Sequence, residues 1–379
     1  MARLRETTSP TTPDIAYPPE LPVVAGEPGR IAVLLNRNAR RVSDRMARKM
    51  ERIVGRDHLF YSHSVEEAES FAREIVSRGY GTVVCGGGDG TLVRTVNLVH
   101  QRIQSSNAWR IERYRRVGER QNLLGLPRFA FLRLGTGNAI SDLVGSKDPV
   151  ADLRRVVDLV PGRTQRLPMV SAGTDRFFFS GLGNDSLLLD DYDWLKSQTT
   201  HPLLRMFAHG VMGYMVAGML RTLPRVFFGR NLRAEARVTT IGRGYYVDPR
   251  RGDFIEPVEP GSVLFEGSAS FVGAATIPFF GYRFKAFPFA RMMPDLMNLR
   301  ISTIGPFSAV WNLGGMWRGT YRHPRKFLDF MVEGFHVELA RPFPWQHSGD
   351  TQGPTDELTM QVAKEPLHLV DFHGARPFS

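Results

Sequence analysis

Two glycine-rich segments carry the strongest chemistry in this chain. The first is Cys85-Gly86-Gly87-Gly88-Asp89-Gly90-Thr91. It follows the β-branched run Thr82-Val83-Val84 and precedes Leu92, Val93, Val96 and Val99, which recur at helical spacing. Glycines admit positive φ and let a ligand approach the backbone closely. Successive N–H groups at a strand-to-helix turn then form an anion nest, helped by the positive end of the helix. The expected ligand is a phosphate, with Gly87, Gly88, Gly90 and Thr91 around it. Asp89 is the odd member, because a carboxylate beside a phosphate is repulsive unless a divalent cation separates them. That assigns Asp89 to the magnesium side of the site. The Thr91 hydroxyl either caps the helix or bonds a phosphate oxygen.

The second segment is Leu134-Gly135-Thr136-Gly137-Asn138, after the apolar run Phe129–Leu134. Two such loops after two strands of one parallel sheet open at its carboxyl edge, where α/β folds bind ligands. The first segment is not a P-loop, because no Lys-Ser/Thr follows at that spacing, and although Gly86, Gly88 and Gly90 alternate it lacks a glycine at the interval the dinucleotide fingerprint requires.

The elements needed to hold these loops are legible. Arg30–Asn36 is a short apolar run ending in a polar residue and predicts a buried strand whose last residue, Asn36, contacts a nucleotide or forms a turn. Ser43–Val54 and Val65–Ser77 have helical spacing, with Gly79 just past the second. Val150–Val160 predicts another helix, ended by Pro161-Gly162. Between the loops, Gln101–Leu126 predicts a basic insertion with Arg102, Arg110, Arg113, Arg115, Arg116 and Arg120. It is either a solvated surface or a patch for anionic lipid or phosphate. Beyond Arg163 the texture changes to short β-like runs, at Phe177–Ser180, Ala234–Ile241, Val263–Val272, Leu299–Ile304 and Phe335–Leu339. The apolar stretch Leu203–Phe228, with four methionines, reads as core or as a wall for acyl chains.

The fold class is thus α/β plus β. Residues 1–28 read as a disordered tail, 29–163 as a nucleotide-binding α/β domain with insertion 101–126, 164–355 as a β-rich, sandwich-like substrate domain, and 356–379 as a segment returning to the first domain. The composition, 42% hydrophobic and 23% charged over 379 residues, is that of a globular protein. The formal charge of +11 favours acidic partners: nucleotide phosphates, nucleic acid or an anionic membrane face. Nucleic acid is set aside, because the arginine-rich segment lacks any recognised fold signature. One cysteine excludes an intrachain disulfide and fits a reducing, cytoplasmic compartment. The N-terminus lacks a secretory pattern, and Leu203–Leu220 is too interrupted to span a membrane.

With both loops in this order, the chain resembles the catalytic domain shared by diacylglycerol kinases, sphingosine and ceramide kinases and bacterial soluble lipid kinases. The resemblance extends to Asn36, to Asn97, to Gly181-Leu182-Gly183-Asn184-Asp185 and to Tyr282–Ala290. It implies an α/β domain related to NAD kinase and phosphofructokinase, then a β-rich domain, with the active site between them. It also implies ATP and Mg2+ as cofactors and transfer of a phosphoryl group to a lipid hydroxyl, at a cytoplasmic membrane face touched transiently. The nucleotide would meet Asn36, Gly87, Gly88, Asp89, Gly90, Thr91, Gly135, Thr136 and Asn138. Asp185 would face the cleft as a catalytic residue that orients the base or a metal-bound water, its alternative being a helix cap before Leu187-Leu188-Leu189.

The sequence departs from that family in several places. Arg133 stands for the usual Pro, Ala139 for an acidic residue and Arg94 for a glutamate. Met293-Pro294-Asp295 replaces an acidic turn that holds a structural metal. The family's Asp-Gly-Glu, whose Asp is the proposed base, aligns with Ser348-Gly349-Asp350. If that segment is extended, Asp350 faces the same side as Ser348 and takes over as base; His347 is its rival. Two other readings stay open: a kinase of a soluble acceptor, as NAD kinase is, and a non-catalytic nucleotide- or lipid-binding module. Oligomeric state is also open, a homodimer among the alternatives.

Overall fold

The computed structural model describes residues 18, 21–39, 41–135, 139–158, 163–183, 233–249, 251, 255–280 and 284–373. Along the chain, β1 (Val23–Val24) and β2 (Glu27–Asn36) lead to α1 (Asp44–Val54), β3 (Leu59–Ser62), α2 (Val65–Ser77) and β4 (Tyr80–Gly87). Then come α3 (Asp89–Val117), β5 (Leu123–Leu124), β6 (Arg128–Arg133), α4 (Ala139–Val144) and α5 (Pro149–Asp158). The remaining strands begin with β7 (Thr164–Leu167), β8 (Val170–Ala172), β9 (Asp175–Phe177) and β10 (Phe179–Gly183). β11 (Ala234–Val247), β12 (Ile255–Val258), β13 (Val263–Ala269), β14 (Phe271–Ala275) and β15 (Met297–Ser302) follow. Two short helices, α6 (Pro306–Trp311) and α7 (Leu313–Trp317), precede β16 (Phe327–His347), β17 (Asp350–Val362) and β18 (Leu367–Val370).

The first sheet has the order β3-β2-β4-β6-β18-β7. Its inner strands are parallel, and β7 closes one edge antiparallel to β18. Every residue of β4 is buried, as expected for a strand covered on both faces. Helices α1 and α2 start where the spacing predicts. Ser43 Oγ accepts from the Met46 amide and Ser64 Oγ from the Glu67 amide, which satisfies helix-end donors. Gly79, with φ +67°, turns the chain out of α2.

The second domain is a ten-stranded antiparallel sheet built around β16. β16 pairs with β15 along its first residues and with β10 at its end. Since β10 also pairs with β14 and β14 with β15, those four strands close a circuit. Across β15 and β16, Arg300 donates through Nε and Nη2 to the two carboxylate oxygens of fully buried Asp329, at 2.8 and 2.9 Å.

Four expectations change. The segment at 101–126 is not an insertion: residues 101–117 continue α3, burying Ile103, Asn107 and Ile111 at intervals of four while most of the arginines face water. The charge run concealed that apolar stripe. The tail at 1–28 is ordered from Leu21, which is buried with Ile111 and Leu123, while β1 pairs with β5 and β2 begins at Glu27. Residues 164–167, placed in the second domain by the sequence, are the edge strand of the first sheet. Residues 356–362 belong to β17 in the second, so the return begins only at β18. The stretch Leu203–Phe228 lies outside the described residues.

Two buried asparagines fix α3 in place. Asn97 accepts from the Arg176 amide and donates to the Arg176 carbonyl, both at 2.9 Å. Asn107 makes the same reciprocal pair with Leu124. The Asn97 pair joins the helix behind the first glycine loop to β9 of the second sheet. Each net hydrogen bond is worth about 1 kcal/mol, and a buried group left unpaired costs about 1–3 kcal/mol. Asn97→Ala should therefore lower unfolding free energy by about 2–4 kcal/mol in urea titration. Asn97→Asp should also destabilise, since it keeps the acceptor but loses the donor. A change within experimental error would show that this pair does not join the domains.

Candidate functional site

Strands β2, β4 and β6 are neighbours, and their carboxyl ends align: Leu35 is opposite Gly86, and Gly87 opposite Arg133. The two glycine loops therefore leave adjacent strands at the same edge. They touch. A Cβ on Gly135 would lie 2.3 Å from the Gly88 Cα, which no side chain tolerates. On Gly87 it would meet the Thr91 hydroxyl at 2.5 Å. The glycines thus serve first to bring two loops and one side chain into contact.

Asp89 locks that contact. One carboxylate oxygen accepts from the Ala139 amide at 3.0 Å and the other from the Ile140 amide at 3.2 Å. Asp89 opens α3 while its side chain caps α4, so one negative charge serves two helix N-termini. Part of its surface stays accessible, yet the carboxyl sits deep. Burial pushes its pKa above the ordinary value, against the pull of the two amides. Arg133 holds the same small helix from the other side, donating to Asp142 at 2.5 Å. These bonds add a structural role to the magnesium-side assignment of Asp89: each carboxylate oxygen accepts one backbone amide and keeps a further lone pair. Among the described residues no cluster of three or more His, Cys, Asp or Glu is placed to hold a metal ion.

Asn36 and Thr91 are also brought together. Asn36 Nδ2 donates to Thr91 Oγ1 at 3.1 Å, and its Oδ1 accepts from the Asn38 amide. Thr91 thus does not cap α3; it packs on Gly87 and stays half-exposed. Gly88 caps α3 without any side-chain bond; the Thr91 amide donates to the Gly88 carbonyl at 2.9 Å, which leaves the Asp89 and Gly90 amides to a ligand. Cys85 lies beneath the loop, its thiol pushed up to about 12 by burial, and is a core residue. Thr136, Gly137, Asn138, Asn184 and Asp185 lie outside the described residues.

The second domain reaches the loop through one turn. Ser348 and Gly349 have φ of +53° and +86°, the left-handed pair that makes a tight two-residue hairpin. The segment is therefore not extended, and Ser348 and Asp350 do not share a side in the way alternate strand residues would. Asp350 is nevertheless aimed at the site: its Oδ2 is 3.8 Å from where a Gly90 Cβ would stand. It reaches there as the first residue of β17, opposite His347.

His347 is a residue whose environment the sequence did not disclose. It is buried and stacks on Phe177 with ring centres 4.6 Å apart. Among the described residues, neither ring nitrogen has a hydrogen-bond partner. Asp175 Oδ2 is 3.9 Å away, too far for a hydrogen bond. Burial lowers its pKa, outweighing Asp175 and Asp350. A cavity of about 490 Å³ lined by Arg163, Arg166, Arg291 and Asp371 includes neither loop.

The arrangement is a glycine-lined cradle at a sheet edge, of a kind that can take a phosphate, with a carboxylate facing it from a second domain. The sequence profile of the diacylglycerol kinase catalytic domain matches residues 30–172. Three solved structures from Bacillus anthracis str. Sterne share the fold, all named as diacylglycerol kinases, two of them provisionally. The first is 12% identical with a TM-score of 0.59, covering 90% of this chain and 95% of its own. The others are 13% and 11% identical, with TM-scores of 0.57 and 0.54, each covering 90% of this chain and 97% of its own. No curated protein matches the sequence.

Two outcomes follow from this geometry. Gly135→Ala should abolish ATP binding in calorimetry while far-ultraviolet circular dichroism stays native; wild-type affinity would show that the loops need not touch. His347 has a lowered folded pKa, so the unfolded chain binds more protons and stability falls as pH drops from about 6.5. His347→Phe, which keeps the stack, should flatten that part of the stability profile. An unchanged acid slope would assign it to other groups.

Proposed function

We propose, from the match of residues 30–172 to the diacylglycerol kinase catalytic domain, that the protein transfers the terminal phosphoryl group of ATP to the hydroxyl of a lipid. The carrying observation is the Asp350 carboxylate, which stands over Gly90 from the opposite domain. In this reading the nucleotide phosphates lie on the first-turn amides of α3 and along the joined loops. Phosphoryl transfer asks the protein mostly for positioning and charge stabilisation. Asp350 takes the proton of the acceptor hydroxyl as its oxygen attacks the γ-phosphorus, and the bond to ADP breaks. Magnesium accompanying the nucleotide would neutralise phosphate charge, with Asp89 the residue beside it; no step is assigned through it.

The acceptor is a diacylglycerol-like or sphingoid lipid, met at a membrane surface from the cytoplasmic side. Among the described residues no helix is long and apolar enough to cross a membrane, which is compatible with peripheral contact.

The test is transfer from labelled ATP, with magnesium, to a panel of lipids in mixed micelles and, separately, to NAD. Transfer to a lipid is expected, with Asp350→Asn lowering kcat by about 10²–10⁴-fold and leaving ATP binding intact. Transfer to NAD alone would assign a soluble acceptor. ATP binding with no transfer to any acceptor would make the chain a binding module. Full activity in Asp350→Asn would remove Asp350 as base.

A further inference from the structure

The link between β15 and β16 exposes apolar side chains that a folded chain ordinarily buries. On α6, Val310 is 51% and Trp311 90% exposed, and Leu313 at the start of α7 is 45% exposed. Phe307 is 75% exposed one turn earlier. Positions 307, 310 and 311 share one helical face. A contiguous patch of this kind on a globular surface marks an interaction site.

The segment that carries the patch has charge of one sign. Between Asp295 and Asp329 there is no acidic residue, while Arg318, Arg325 and Lys326 follow the two helices; Arg322 is turned onto Phe289 instead. Lys326 Nζ is 3.4 Å from Ser308 Oγ, which sets it against α6. The Arg233 guanidinium lies 3.7 Å from where a Gly305 Cβ would stand, at the entry to α6. The flanking acids are both spent: Asp329 on Arg300, and Asp295 on Arg166 at 2.9 Å. By contrast, the arginine-rich end of α3 pairs part of its charge locally, Arg113 with Glu119 and Arg116 with Glu112.

We infer that α6 and α7 form the membrane-docking tip of this protein, with Trp311, Val310 and Leu313 entering the interface of an anionic lipid surface and the basic rim meeting its headgroups. Tryptophan favours the interfacial layer, and an apolar face with a cationic margin is the pattern of an interfacial helix. Charge selects this occupant. A second copy would bring an identical basic rim against this one, and like charges facing each other oppose association. An anionic membrane supplies a continuous surface of opposite sign. The inference deepens the lipid-acceptor reading and rests on it for the choice of a membrane as partner.

The experiment is vesicle flotation of the full chain with phosphatidylcholine alone and with added phosphatidylglycerol, at low and high salt. Binding should require phosphatidylglycerol, weaken with salt and fall at least tenfold in Trp311→Ser/Leu313→Ser. Arg325→Gln/Lys326→Gln leaves the apolar tip intact and tests the rim independently, with about a fivefold loss per charge. Wild-type vesicle binding by both variants would overturn the proposal, as would a wild-type dimer that Trp311→Ser turns into monomer. Transfer to lipid in detergent micelles is measured on the same samples. Its absence beside Trp311-dependent vesicle binding sinks the kinase reading and leaves the docking tip. Its presence beside Trp311-independent binding does the reverse.

Discussion

The site depends on one carboxylate. Asp89 takes the Ala139 and Ile140 amides and so ties the loop after β4 to the helix after β6. Without that tie, two glycine-rich turns on adjacent strands would each be free to relax, at an entropic cost to any ligand that must order them. With it, Gly88 and Gly135 stay in backbone contact, and the first turn of α3 is presented on a preformed surface. A hydrogen bond to a charged group is worth about 1.5–3 kcal/mol. Burial opposes the ionised form, so a buried charge near a phosphate site is tolerated because two helix N-termini share it.

The second constraint is the alignment of the domains. Asn97 clamps α3 to β9, and β18 threads the last described strand of the chain back between β6 and β7. Strand β16 pairs with β10, β11, β15 and β17. The turn at its end is therefore held by the whole sheet, with the Ser348 amide bonded to the Phe179 carbonyl at 3.1 Å. These connections place the Asp350 carboxylate over Gly90, although the two residues are 260 positions apart.

Much of this was legible in the sequence where the pattern is local. The runs at Arg30–Asn36, Thr82–Cys85 and Phe129–Leu134, and the helix at Val65–Ser77, announce themselves by period and by their flanking residues. The two glycine loops were also plain. Pair geometry was not legible. The bonds that Asp89 makes to amides fifty residues on had no trace, because amides leave no sequence signal. Ser348-Gly349 read as extended because only the φ values distinguish a left-handed turn there. The arginine-rich segment hid the stripe Ile103, Asn107, Ile111, which a count at intervals of four would have found. His347 is isolated by Phe177 and Asp175, and long-range packing of that kind has no local trace.

The most direct test of the central claim is nucleotide affinity in Asp89→Asn, measured by calorimetry with and without magnesium. A carboxamide accepts through one oxygen only, so one of the two amides loses its partner. If Asp89 is the tie between the loops, affinity falls in both buffers, and by a similar factor. If affinity is unchanged without magnesium and falls only when the ion is present, Asp89 is a metal ligand and not the tie on which the site depends.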